Sequence, residues 1–413
     1  VTTLRRGDIA LVAVSILPFV YTLFDTSDGD VPLYHHYAKL LLGGAIPYKD
    51  WVFEYPPFAL VWLAAPGLLH DYTAFRAGFS LQILALDVVA KLALLKEGAR
   101  LAVAPSRSPS RSSWASWSRL VAFLVFSTLG AFQSYFYLKR FDAIAAGLTL
   151  LALIAFARGR LATSGALVCV ATGTKLYPGL VALVLLCAAW QSGKAKRFAT
   201  GAAASFLPLV ALSFFAPWWR FISFHAGRGL QVESTYASII WLAHFFGLNA
   251  VWASRPAWLE VDGPAARALL PYARVLFAAA TLAALATSAI AVWRREKRLS
   301  GRQEIASAFL ARAALLPIVA FMAFGLVLSP QFAVWPIGPT AIAATMGSRT
   351  PVALAAAAIV LTTFVFPAPG YFTPEGISLA RTLILVTRNV TLVTLAVLLT
   401  RKLLGESKPK EVA

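Results

Sequence analysis

The sequence predicts an all-α, polytopic membrane protein with about twelve transmembrane helices in a single integral domain, residues 1–413. Three observations carry this. Of 413 residues, 59% are hydrophobic and 13% charged, whereas soluble domains run at about 45–50% apolar and about 25% charged. The mean hydropathy is +0.72. The 37 Lys and Arg outnumber the 18 Asp and Glu, but they sit in short clusters between long apolar runs. That pattern is an orientation signal rather than a nucleic-acid face. The two cysteines, Cys169 and Cys187, lie inside apolar runs, which excludes a disulfide framework and a Cys-based zinc site.

A helix needs roughly 20 mainly apolar residues to cross a bilayer. The first run, 8–24, follows Arg5 and Arg6 and lacks a small-residue cleavage site, so it reads as an anchor. Further spans are predicted at 75–95, 119–137, 141–157, 163–174, 177–190, 198–216, 272–293, 305–328, 334–347, 351–367 and 378–400. The pair 163–174 and 177–190 is short, as a tilted or partly broken span would be. The fourteen-residue run 56–69 (PPFALVWLAAPGLL) has the length of an interfacial or re-entrant segment.

Charge settles the arrangement. With 56–69 flat on the outer surface, the segments 1–8, 96–119, 158–163, 191–198, 294–304, 348–350 and 400–413 share one side and hold 22 of the 37 basic residues. The opposite loops hold 9. The positive-inside rule then places both termini in the cytoplasm; the expected location is an inner (plasma) membrane, with the chemistry expected on the outer face. Acids run the other way: eleven lie outside and six inside, with Asp87 within a span.

Two outer loops are long, 25–74 and 217–271, and both are too rich in aromatic and apolar residues to be disordered. In the first, YHHYAKLLLGG predicts a short helix with a glycine stop and PYKDWVFEYPP an extended piece. These bring Asp28, Asp30, Asp50 and Glu54 to the membrane surface. Asp30 and Glu54 have aromatic and proline neighbours able to desolvate them. The second loop gathers His225, Arg228, Gln231, Glu233 and Ser234 within ten residues. An arginine fork suits a pair of phosphate oxygens, and a histidine can join it. ASIIWLAHFFG predicts another interfacial helix. Arg140 with Asp142, Lys175 and Arg381 fall near the outer ends of spans, and Arg388 lies deeper in LVTRNVTLV. Charges in spans mark a cavity, a pathway or a pair. Asp87 and Lys91, four apart, read as a pair on one helix face. His35 and His36 read as interface packing. The five histidines have no other ligand-like spacing, and no cofactor signature is visible. Residues 104–118 read as a basic flexible loop and 401–413 as a cytoplasmic tail.

The stretch GDVPLYHHYAKLLLGGAIPYKDWVFEYPP resembles the first periplasmic loop of GT-C glycosyltransferases, and most resembles glycosyltransferase family 87, the polyprenyl-phosphate-mannose-dependent alpha-mannosyltransferases. The matching positions are Asp30, Tyr34, Ala38, Gly44, Pro47, Tyr48, Asp50 and Tyr55-Pro56-Pro57. KRFDAIAAGLTLLAL, GALVCVATGTKLYPGLVALVLL, FHAGRGLQVESTYAS and LSPQFAVWPIGP resemble later family segments in the same order. Gln331 and Phe332 depart from the better-studied mannosyltransferase branch, which carries a histidine near that SP turn.

The resemblance implies a GT-C fold with juxtamembrane helices in the first periplasmic loop. It implies a lipid-linked (polyprenyl-phosphate) sugar donor, most simply mannose, and a lipid or glycan acceptor. It also implies inversion at the anomeric carbon with Asp30 as general base on the acceptor, Asp28 being the fallback. Tyr34, Asp50, Glu54, Arg140, Lys175, His225, Arg228, Glu233, Gln331 and Arg388 are the candidate substrate and donor residues. A monophosphate donor needs cations near its leaving oxygen and no metal. The rival readings are pentosyl (arabinofuranosyl) transfer, a transporter of envelope precursors, and a non-catalytic envelope scaffold. No internal repeat of the transporter kind is visible.

Overall fold

The computed structural model describes residues 4–25, 29–101, 111–255, 258–299, 307–345, 349–365 and 378–406. Asp28, residues 104–110 of the basic stretch 104–118 and the tail beyond 406 lie outside them.

The chain opens with α1 (Arg6–Phe24), whose first turn is capped by Asp8 accepting from the Arg5 amide at 2.9 Å. Then come α2 (Val31–Leu42), stopped at Gly43, and the short α3 (Ala59–Gly67). The bundle continues through α4 (Tyr72–Leu101), α5 (Arg111–Phe132), α6 (Ser134–Lys139), α7 (Phe141–Ala157), α8 (Leu161–Thr174), α9 (Pro178–Gln191) and α10 (Ala195–Ser213). The second long loop holds α11 (Phe221–Ala226), β1 (Leu230–Gln231), α12 (Thr235–His244), β2 (Val251–Arg255) and β3 (Trp258–Asp262). The chain returns through α13 (Pro264–Leu299), α14 (Ser307–Phe324), α15 (Ile337–Ala344), α16 (Arg349–Val365) and α17 (Leu379–Glu406).

Each predicted span falls on a helix, but the count of twelve crossings is not reproduced. Among the described residues, five helices, α1, α4, α13, α14 and α17, are long and apolar enough to cross a membrane. A sixth arises if α10 and the segment Trp218–His225, bent by 99°, form one broken span. By contrast α7, α8, α9 and α16 are apolar but only 14–17 residues long, and α15 has 8. The reason is physical. Hydropathy cannot separate a lipid-facing helix from one buried in protein, and α7 is buried along nearly its whole length. Proline and charge also break the runs: α8 ends at Lys175 and Pro178 opens α9. The run 56–69 shortens to α3, nine residues packed on α2 and α4.

The helical expectation holds, with one small sheet that the sequence did not show. β1, β3 and β2 form a three-stranded antiparallel sheet, with Leu230 opposite Val261 and Trp252 opposite Val261 on the other edge. Its Leu230, Val232 and Val261 pack with Tyr236 and Trp241 of α12 in a second small core.

Glycine sets two close approaches. A Cβ at Gly201 would stand 1.8 Å from the Ala162 carbonyl oxygen, so only glycine lets α10 lie against α8. At Gly173, the Phe58 ring occupies the place of a Cβ, and the Phe58 amide donates to the Gly173 carbonyl at 2.7 Å. This second contact ties the first long loop to the end of α8.

Ion pairs gather at two ends of the bundle. At one end stand Asp8 with Arg119 (3.2 Å), Glu97 with Arg158, and Glu406 with Arg312 (2.5 Å). At the other stand Asp25 with Lys139 (3.4 Å), Asp30 with Arg140, Asp142 with Lys175 (3.2 Å) and Glu54 with Arg228 (3.4 Å). Loops assigned to a common side by charge are thus neighbours in space. The predicted pair of Asp87 and Lys91 also forms, at 2.7 Å.

Candidate active site

Where the two long loops meet the ends of α6–α9 and the turn before α15, a cavity of about 550 Å³ opens. Eight of the eleven predicted site residues line it: Asp30, Glu54, Arg140, Lys175, His225, Arg228, Glu233 and Gln331.

Asp30 stands at the N-cap of α2, which Pro32 starts, and its carbonyl accepts the Tyr34 amide at 3.0 Å. Its carboxylate pairs with the Arg140 guanidinium. Arg140 occupies the extended joint between α6 and α7. Burial lowers its pKa to about 10, with Asp142 opposing, so it stays cationic at neutral pH.

Lys175 ends α8 in an extended conformation. Its ammonium lies 3.2 Å from Asp142, 5.0 Å from the centre of the Tyr55 ring and 5.9 Å from that of Phe332. Asp142 is buried and also accepts from the Trp335 indole at 2.7 Å. Trp335 in turn lies between Tyr177 (centroids 4.3 Å) and Phe332 (3.8 Å), giving the cavity a stacked aromatic wall.

Glu54 joins the two loops. Its carboxylate meets Arg228 at 3.4 Å, and its carbonyl meets the His225 Nε2 at 3.0 Å. His225 is exposed as a residue, yet its pKa is lowered to about 4, first by desolvation and then by Arg228, with the Glu54 carbonyl opposing. The imidazole is therefore neutral near pH 7. Burial also lowers the Arg228 pKa, with Glu54 opposing.

Glu233 follows β1 and is fully buried. Desolvation pushes its carboxyl up to about 7, with Arg388 pulling it down. Arg388 donates to Glu233 Oε2 at 3.0 Å and to its carbonyl at 2.6 Å. Gln231 steadies the turn, its side-chain oxygen accepting from the Glu233 and Leu328 amides at 3.1 and 3.3 Å.

Three predicted residues stand elsewhere. Tyr34 is wholly buried in the core, its hydroxyl 3.3 Å from that of Tyr55, so it supports a lining residue and does not reach the cavity. Asp50 is exposed and caps its own turn through the Ile46 amide at 2.7 Å. Arg388 lies behind Glu233 in a narrow apolar seam between α14, α16 and α17. Conversely, Asp142, Tyr55, Tyr177, Gln231 and Trp335 belong to the site although none was a candidate residue. Their sequence signals were the Lys-aromatic-Pro turn, the YPP piece, the neighbours of Glu233 and the Trp of the SP turn.

Residues 53–316 match the family Glycosyltransferase family 87. The chain belongs to glycosyltransferase family 87. No curated protein is detectably similar to it. Membership makes the protein a membrane glycosyltransferase, which implies a lipid-linked donor and an acceptor. The matched segment holds Glu54, Arg140, Lys175, His225, Arg228 and Glu233, while Asp30 and Gln331 approach the same cavity from outside it.

Proposed function

We propose that this family 87 enzyme transfers mannose from a polyprenyl-phosphate donor to a cell-envelope lipid or glycan, with inversion, on the outer side of the inner membrane. The observation that carries the reading is that Asp30 shares one cavity with Arg140, Lys175 and Arg228. Single displacement needs a carboxylate on the acceptor and a stabilised leaving group. Asp30 takes the proton of an acceptor hydroxyl as its oxygen attacks the anomeric carbon. The bond from that carbon to the phosphate oxygen breaks, and the lipid phosphate departs with the electron pair. Arg140 beside Asp30 favours the ionised carboxylate that a base must be. Arg228, with Lys175, accepts the charge developing on phosphate. His225, Glu54 and Gln331 complete the polar wall, and the aromatic wall offers apolar surface to the sugar and the start of the lipid. Both termini are cytoplasmic in this reading, as the loop charges require.

The test is incubation of membranes carrying the protein with polyprenyl-phosphate mannose and extracted envelope lipids. A mannosylated product of inverted anomeric configuration is expected. Product from an arabinofuranosyl donor alone would replace mannose with a pentose, and product from neither would refute the lipid-phosphate donor.

A further inference from the structure

Of the three acids on the cavity wall, Asp30 and Glu54 are each answered there by a guanidinium that also lines the cavity. Glu233 differs. Its partner Arg388 lines the seam behind and not the cavity itself. Arg388 takes Oε2 and the backbone carbonyl, Asn389 adds a contact to that carbonyl at 3.3 Å, and the Arg388 Nε donates to the Asn389 side chain at 3.0 Å. The Glu233 amide is held by Gln231. The amide, the carbonyl and Oε2 are thus engaged, whereas Oε1 is fully buried and has no hydrogen-bond partner among the described residues, and Glu233 lines the cavity. A buried carboxylate oxygen left bare is costly, and native proteins seldom keep one without a use.

We propose that Glu233, clamped by Arg388, reads a sugar hydroxyl: its Oε1 accepts a hydrogen bond from a hydroxyl of the substrate in the cavity. The proposal rests on the reading that the cavity takes a lipid-phosphate sugar. The chemistry selects the ligand group. In the ionised form, which Arg388 favours, the carboxylate only accepts, so it repels phosphate and calls for an O–H or N–H donor, and the binding series is read at pH 8, above its titration. Arg388 already balances its charge, which favours a neutral partner over a metal cation. The clamp fixes the oxygen before substrate arrives, so little order is lost on binding. A site built this way rejects an analogue that lacks the hydroxyl, because the acceptor is then left unpaired. The hydroxyl can belong to the donor sugar or to a sugar acceptor.

The experiment uses the full chain purified in detergent. Binding of citronellyl phosphate, citronellyl-phosphate mannose and its 2-, 3-, 4- and 6-deoxy forms is compared for wild type and Glu233→Gln. Octyl mannoside and its deoxy forms make a parallel series. Glu233→Gln should bind citronellyl phosphate as wild type does but lose about ten- to a hundredfold on one of the mannosides. One deoxy analogue of that series should bind both proteins equally. The series that shows this identifies donor or acceptor. Glu233→Asp keeps the charge beside Arg388 and withdraws the oxygen by one methylene. It should show the same loss, and it decides the matter if the glutamine variant does not fold. An unchanged sugar increment in both series overturns the proposal. If wild type binds no citronellyl phosphate, the lipid-phosphate reading fails, and the octyl mannoside series alone decides Glu233.

Discussion

The Glu54 carboxylate meets the Arg228 guanidinium at 3.4 Å across 174 positions of sequence. The contact joins the two long loops, and the His225 ring on the Glu54 carbonyl reinforces it. Both residues line the cavity. In the proposed reading, a lipid phosphate entering beside Arg228 would compete with Glu54 for the same guanidinium, which would link donor binding to the loop contact.

From this pair, Arg228→Ala should weaken binding of citronellyl phosphate by about ten- to a hundredfold, the worth of a charge-assisted contact. Titration of the purified variant against wild type checks it. Equal affinity would remove Arg228 from the phosphate site.

Asp30→Asn should lower turnover by about 10²–10⁴-fold, the usual worth of a general base. Donor-lipid affinity should stay within about twofold, since the base acts on the acceptor. Single-turnover rates and equilibrium binding on the same preparation separate the two effects, and a variant retaining full transfer would remove Asp30 as the base.

Asp142→Asn should destabilise the protein by about 2–4 kcal/mol. It takes the counterion from Lys175 in a mostly buried pair, while the amide oxygen can still accept from Trp335. Denaturation in detergent measures the loss, and a change below about 1 kcal/mol would show that Lys175 does not depend on this counterion.

Gly201→Val should be poorly tolerated, because the new side chain must enter the space of the Ala162 carbonyl and push α8 from α10. Overpacking of this kind costs about 1–3 kcal/mol or more. A melting temperature within one degree of wild type would show that the two helices yield easily.

Glu233 makes stability fall with pH. Its pKa rises from 4.5 in the unfolded chain to about 7 in the folded one. The folded state therefore holds the extra proton between these values, and this contribution is present below about pH 4.5 and lost as pH rises through 7. The total is at most about 3 kcal/mol. Glu233→Gln abolishes the slope, so its melting temperature relative to wild type should be higher at pH 8 than at pH 5. A difference independent of pH would refute the assignment.

Much of the fold was legible because its signals are local. Runs of apolar residues placed the helices, Gly43 and Pro178 placed breaks, and clustered basic residues sorted the loops that the ion pairs then bring together. The eight candidates that line the cavity could be read because charged and polar side chains are rare in so apolar a chain and stand out wherever they occur.

What tertiary structure alone decided is how those residues are spent. Composition cannot say whether an apolar helix faces lipid or protein, and among the described residues five or six of the predicted spans have the length to cross a bilayer alone, while the others are shorter apolar helices. The antiparallel sheet was hidden because pairing of Leu230 with Val261 is a contact over distance, not a periodic pattern. Tyr34, Asp50 and Arg388 share residue types with the cavity wall, but side-chain direction put one in the core, one in solvent and one behind Glu233. Asp142 gains its place only from Lys175 and Trp335, the latter 193 positions away. The sequence by itself determined that this is a basic, multi-helical membrane protein with two long loops that carry polar clusters. Packing decided which acid meets which cation, because desolvation makes each buried charge depend on its nearest partner.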